Sequence, residues 1–249
     1  MRIVSGHQPV YLPWLGLFHK LSLCNTFVYM DTVQYLKGDW NNRNKIRTPH
    51  GDLLLTAPVD KKRSGVMLDE IYLKPGNLDS NEFWQNEHFI TIENNYKNTP
   101  FFSRYIDDLH MIYKKRSWER LVDICWAQFE LVRSYLGLSD KKVVRMSEFE
   151  FSGAKDDLVL DHCIKLNGDH VVFGAHGKDY VNLDKFRSAG IGVYFQDYKH
   201  PCYTQKYKPF KPYMTVWDLL FNHGDYSAEI IQRGNVSFND LWSTKDLWQ

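Results

Sequence analysis

Ile3-Val4-Ser5-Gly6-His7-Gln8-Pro9-Val10-Tyr11-Leu12-Pro13-Trp14-Leu15-Gly16 is the stretch that decides the fold. Ile3-Val4 reads as a short strand closed by Ser5-Gly6. Pro13 stands where a helix can begin, because the first helical position needs no N–H. Trp14, Leu15, Leu17, Phe18, Leu21 and Leu23 are apolar on most sides, as in a buried helix. Thr26-Phe27-Val28-Tyr29-Met30 then reads as a second strand ending at Asp31. Strand, loop, helix and strand make a βαβ-like unit, whose ligands sit at the carboxyl ends of the strands. His7 and Asp31 fall at that edge.

Outward from this unit the pattern changes and returns. Leu53 to Val59 and Met67 to Leu73 read as strands, with Lys61-Lys62-Arg63-Ser64-Gly65 as a basic turn between them. Residues 79–138 read as a helical insertion or layer, broken near Thr99-Pro100 and ended by Gly137. The α/β rhythm resumes with strands at Val143-Val144, His170 to Phe173 and Ile191 to Phe195. Helices are expected at Leu158 to Leu166, at Met214 to Phe221 and after Ser227. The expected architecture is a single α/β domain over 1–249. Its mostly parallel Rossmann-like (nucleotidylyltransferase-like) sheet carries the helical middle region packed against it.

Composition bounds the function. Lys plus Arg is 31 against 30 Asp plus Glu, a net charge of +1, which excludes the spread basic footprint of a non-specific nucleic-acid binder but not a local patch; no nucleic-acid partner is expected. No apolar run approaches the ~18 residues of a membrane span. The opening residues lack the apolar core of a signal peptide, so the expected location is cytoplasmic. Cys24, Cys125, Cys163 and Cys202 form no CxxC pair and read as buried or inert thiols. No metal-ligand spacing and no GxSxG appears. Aromatic residues reach 15% while mean hydropathy is −0.46, so many rings stand among polar residues.

Four constellations could carry chemistry, and each also has a plain structural reading. His7 after a strand is fixed in place and can act as acid or base, with Gln8 beside it as donor and acceptor; the alternative is a capping histidine. Asp31 to Tyr35, with Gln34, precedes the polar loop Trp40 to Arg47. There Arg43 and Arg47 could clamp a phosphate and Asn42 a hydroxyl, unless this is a surface loop. Gly174-Ala175-His176-Gly177-Lys178-Asp179-Tyr180 matches neither phosphate-loop spacing, yet its glycines admit a close backbone approach. His200, Tyr203 and Gln205 lead to Asp218 and Asn222, which share a face of an otherwise apolar helix. A carboxylate there needs a partner, either a ligand or a buried hydrogen bond.

These segments together resemble the WbqC-like protein family. Its opening is matched by Gly6 to Pro9 with Tyr11 to Gly16, and its second signature by Asp31 to Tyr35 with Asn42 to Ile46. Its C-terminal signatures are matched by Gly174 to Tyr180, by His200-Pro201 with Tyr203 and Gln205, and by Asp218 to Leu220 with Asn222 and Gly224. The chain departs from the family where Phe173 precedes Gly174 in place of a Ser-Gly-like opening. The resemblance implies bacterial surface-polysaccharide (O-antigen) biosynthesis.

The expected reaction is acyl or aminoacyl transfer to the amine of a sugar-nucleotide substrate, with a donor such as an acyl-CoA or ATP plus a carboxylic acid. In that reading His7 is the general base and Asp31 positions the amine or His7. Arg43 and Arg47 hold the diphosphate. Rings such as Tyr11, Trp14, Tyr180 and Tyr203 meet the base or sugar, and Asp218, Asn222 and His200 bind hydroxyls. A glycosyltransferase, a non-catalytic sugar-nucleotide-binding protein and a homo-oligomer remain alternatives at this level.

Overall fold

The computed structural model describes residues 1–60, 65–244 and 247–249; the expected basic turn at 61–64 lies outside the described residues. β1 (Ile3–His7), α1 (Leu15–Ser22) and β2 (Thr26–Tyr29) form the expected opening unit, with β1 and β2 parallel. β5 (Lys142–Arg145) pairs parallel with β2. β6 (His170–Phe173) pairs parallel with β1, and β7 (Gly192–Phe195) with β6. The resulting five-stranded sheet has the order β5-β2-β1-β6-β7. β3 (Arg43–Thr48) and β4 (Gly51–Thr56) form a separate antiparallel hairpin.

Both faces of a parallel sheet must be covered, and alternating side chains do so here. Ile3, Phe27, Tyr29 and Val172 enter one core, shared with α1, α2 (Trp84–Tyr96), α3 (Phe102–Lys114), α4 (Leu121–Tyr135) and α7 (Val216–His223). Val4, Val28, Val144, Val171 and Val193 enter the other, under α5 (Asp156–Lys165) and α6 (Leu183–Ser188). The expected helical layer at 79–138 is α2, α3 and α4, with an extra break at 115–120. After α7 come α8 (Ser227–Gln232) and α9 (Phe238–Ser243).

Three local expectations are corrected. Met67 to Leu73 is not a strand but a 3-10 turn at Leu68–Glu70 flanked by isolated bridges, because its pairing partners end after one residue. Trp40 to Arg47 is not a surface loop: a 3-10 turn at Trp40–Asn42 runs into β3, and Asn41, Asn42, Asn44 and Arg47 are all buried. Pro13 stands just outside α1, where its carbonyl accepts from Val216 N–H and so joins α1 to α7. Of the cysteines, Cys202 is exposed and the other three are buried. Among the described residues no helix is long and apolar enough to cross a membrane.

Candidate functional site

In this sheet the chain leaves β1 toward β2 and β5 on one side and later fills β6 and β7 on the other. The connections diverge between β1 and β6, and such a switch point opens a crevice outside the strands' carboxyl ends. His7 is the last residue of β1 and Gly174 the first after β6. A hollow lined by Phe18, Leu136, Leu138, Ala228, Ile231 and Gln232 offers no titratable group, and a second is lined by Asp60, Glu70, Ile71 and Tyr72.

His7 Nδ1 lies 2.8 Å from the Gln8 carbonyl oxygen. A carbonyl only accepts, so Nδ1 carries the proton and Nε2 keeps its lone pair. Burial, and then the Lys20 ammonium, pushes the imidazole down to about 4, against the Gln8 carbonyl and Asp39. His7 is therefore neutral near pH 7. The Trp14 ring lies 6.3 Å from it, tilted by 60°. Gly16 permits this placement, because a Cβ there would stand 2.0 Å from the Trp14 ring. Between His7 and α1 the turn passes through Leu12 at φ 49, a left-handed conformation costly for a branched residue, held by Asn44 Nδ2 on the Leu12 carbonyl at 2.6 Å.

Lys20 is the group the sequence reading missed. It is 6% exposed, and its ammonium donates to the Gly6 carbonyl at 2.7 Å, beneath the β1 end. Helical side chains lean toward the helix N-terminus, which carries Lys20 from the second turn of α1 up to the crevice. Burial pushes it down to about 8. A signal was present: a lysine in a helix apolar on most sides calls for a partner, as Asp218 does in α7.

Asn41 and Asn44 clamp the motif loop, and Asn42 the chain after β4. Asn41 Nδ2 donates to Gln8 Oε1 at 3.1 Å and to the Pro9 carbonyl at 2.9 Å. Asn42 Nδ2 donates to the Ala57 carbonyl at 2.9 Å. Arg47 sits where a diphosphate clamp was expected, but its guanidinium donates to the carbonyls of Thr48, Gly51 and Pro209, and it is 1% exposed. Arg43 is half-buried, and its Nε, like that of Arg47, is buried without a hydrogen-bond partner. Arg43 and Asp39 act electrostatically on Tyr35, and Asp39 on His7, so this segment borders the crevice.

Several other predicted site residues are committed elsewhere. Tyr11 is fully buried, its hydroxyl 2.7 Å from His88 Nδ1 and 2.6 Å from the Tyr113 hydroxyl, inside the helical layer. Asp31 does not touch His7. Its Oδ2 accepts from Arg145 Nε at 2.9 Å and Ser147 Oγ at 2.8 Å, and its Oδ1 from Ser147 N–H at 2.9 Å, tying β2 to β5. Asp218 accepts from Tyr96 at 2.9 Å, Tyr203 at 2.8 Å and Gln205 at 2.9 Å, and Asn222 donates to the Asp218 carbonyl at 2.7 Å. Burial pushes the Asp218 carboxyl up, against those three donors and Arg47.

Gly177 packs where a Cβ would be 2.8 Å from Phe173, so its smallness serves the core. A Cβ at Gly174, by contrast, would meet only Lys20 Nζ, at 4.0 Å, and Tyr180 and Gln34 are exposed. His200 Nδ1 meets the Pro201 carbonyl at 3.0 Å while Nε2 is buried without a partner. A run of rings links Trp14 to Tyr198 at 5.9 Å and Tyr198 to His200 at 6.4 Å. The structure thus gathers His7, Gln8, Trp14, Gly174 and the missed Lys20 at one edge, with Tyr198 and His200 beyond Trp14.

Burial also pushes His19, His88 and His162 down to about 4, like His7. Folded histidines that stay neutral while the unfolded chain protonates near 6.5 lose stability as pH falls through that window toward 4. His200 is pushed down by burial as well; Asp218 and Asp69, whose carboxyls burial pushes up, work in the opposite sense, two groups against five. The urea midpoint is expected to be lower at pH 5 than at pH 7; equal midpoints would contradict the buried neutral assignment.

The chain is 29% identical over 233 residues to "Uncharacterized protein Rv1507c" of Mycobacterium tuberculosis (strain ATCC 25618 / H37Rv), covering 93% of this chain and 98% of that protein. No solved structure matches it. The WbqC-like protein family matches residues 8–230, from Gln8 beside the candidate base to Ile230 in α8, and the chain belongs to that family.

Proposed function

We propose that the protein is an enzyme of bacterial surface-polysaccharide biosynthesis that transfers an acyl or aminoacyl group to the amine of a nucleotide-linked amino sugar. The observation that carries this reading is the neutral His7 with its Nε2 lone pair at the end of the central strand. Amide formation needs such a group. As the sugar amine attacks the acyl carbon, the N–C bond forms, the amine loses a proton to Nε2, and the leaving group departs. His7 then returns that proton to the leaving group, a thiolate if the donor is an acyl-CoA.

Trp14 gives the sugar or base a ring face. Arg43, half-buried on the segment after Asp31, supplies a guanidinium for the nucleotide in this reading. A glycine at 174 admits the substrate between β1 and β6. Asp31, Arg47, Asp218 and Tyr11 enter this reading only as supports of the scaffold.

The test is incubation with UDP- and dTDP-linked amino sugars and a panel of donors, acyl-CoAs or ATP with carboxylic and amino acids, followed by mass spectrometry. The expected result is a sugar nucleotide heavier by the acyl group. No product and no sugar-nucleotide binding across the panel would overturn the proposal.

A further inference from the structure

The ammonium of Lys20 is a charged feature of the crevice that transfer chemistry at His7 does not use. It has three N–H donors, of which the Gly6 carbonyl at 2.7 Å takes one. Among the described residues no carboxylate lies within ion-pair distance of it. Burying an unpaired cation is costly, so a fold that keeps one at a switch point is keeping it for an anion.

The way in is open. A Cβ added at Gly174 would meet only Lys20 Nζ, at 4.0 Å. The backbone at Gly174 has φ −74, which any residue adopts, so no conformational demand explains the glycine there. Arg47, the other buried cation near the motif segments, spends its two terminal nitrogens on main-chain carbonyls.

We propose that Lys20 is the phosphate-binding group of the crevice, its ammonium taking a phosphoryl oxygen of the substrate's diphosphate that enters over Gly174. This rests on the sugar-nucleotide reading above and names the residue that would hold the nucleotide's charge. The bound oxygen would occupy N–H donors left free by Gly6. It would also offset the positive field that Lys20 exerts on His7 and so restore basicity to that imidazole when substrate is present.

The test is titration calorimetry of inorganic pyrophosphate and of UDP with the wild type, Lys20→Met and Gly174→Leu. Met keeps the stem's volume without the charge. Lys20→Met is expected to weaken pyrophosphate and UDP by roughly 10- to 100-fold, the worth of one hydrogen bond to a charged group. Its urea midpoint should be equal or higher, since a buried charge is removed. Gly174→Leu is expected to weaken both ligands with Lys20 intact, and it carries the test if Lys20→Met does not fold.

Affinities in both variants within about twofold of wild type, or no binding of either ligand by the wild type, would overturn the proposal. A lowered urea midpoint with unchanged affinity would mark Lys20 as a strut for Gly6 and overturn it too. Lys20-dependent binding without any acyl transfer would leave this proposal standing and remove the catalytic one. Transfer that proceeds in Lys20→Met with unchanged KM would do the reverse.

Discussion

Replacing His7 by alanine is expected to lower kcat for acyl transfer by ~10²- to 10⁴-fold, the usual worth of a positioned general base, with little change in KM. The ring is held by its Nδ1–H on the Gln8 carbonyl, and Gln8 is held in turn by Asn41. The side chain is thus fixed through neighbours the substitution leaves in place, so the variant should fold and bind nucleotide. Burial and Lys20 keep the free imidazole near 4. The acidic limb of the kcat/KM profile that belongs to His7 is therefore expected near pH 4, not at the 6.5 of an unperturbed histidine. The base is active above its pKa and is lost only as pH falls through it. A kcat for His7→Ala within about threefold of wild type would remove His7 from the chemistry.

Asp31→Ala is expected to cost stability rather than chemistry. Asp31 is 0% exposed, and both oxygens are engaged by Arg145 and Ser147. Removing it leaves the guanidinium without its counter-ion and the Ser147 N–H without its acceptor. Breaking a buried ion pair costs about 3–5 kcal/mol, and Arg145 at 24% exposure recovers some hydration, which places the loss near the lower end. Urea unfolding at constant m should show a correspondingly lower midpoint. A loss under about 1 kcal/mol would mean that the β2–β5 edge does not depend on this pair.

The opening segment was legible because its signals are local. An apolar strand, a turn with two prolines, an apolar helix and a second strand leave few arrangements, and the parallel pairing of β1 with β2 follows from that unit. His7 was legible for the same reason, as a residue at a strand's end. What the sequence hid were the long-range partners. Asn41, Asn42 and Asn44 read as hydroxyl-holding or turn residues of a loop, because a loop and a strand rich in polar residues look alike until the carbonyls they serve come close.

Arg47 read as an anion clamp because three carbonyls cannot be foreseen from spacing; one of them, Pro209, is 162 positions away. Asp218 illustrates the useful half of such reasoning. A carboxylate on a buried helix had to find donors, and it found Tyr96, Tyr203 and Gln205 instead of a ligand. The same rule applied to α1 singles out Lys20, whose charge is buried with only a carbonyl beside it.

The proposed reading puts a sugar nucleotide in the crevice between β1 and β6 with its amine at His7, and a crystal structure of the protein with a UDP-linked amino sugar tests it. The amine nitrogen is expected within hydrogen-bond reach of His7 Nε2, roughly 3 Å, and the diphosphate over Gly174 against Lys20. A sugar nucleotide seated away from the β1 and β6 ends, or one whose amine points away from His7, would contradict it.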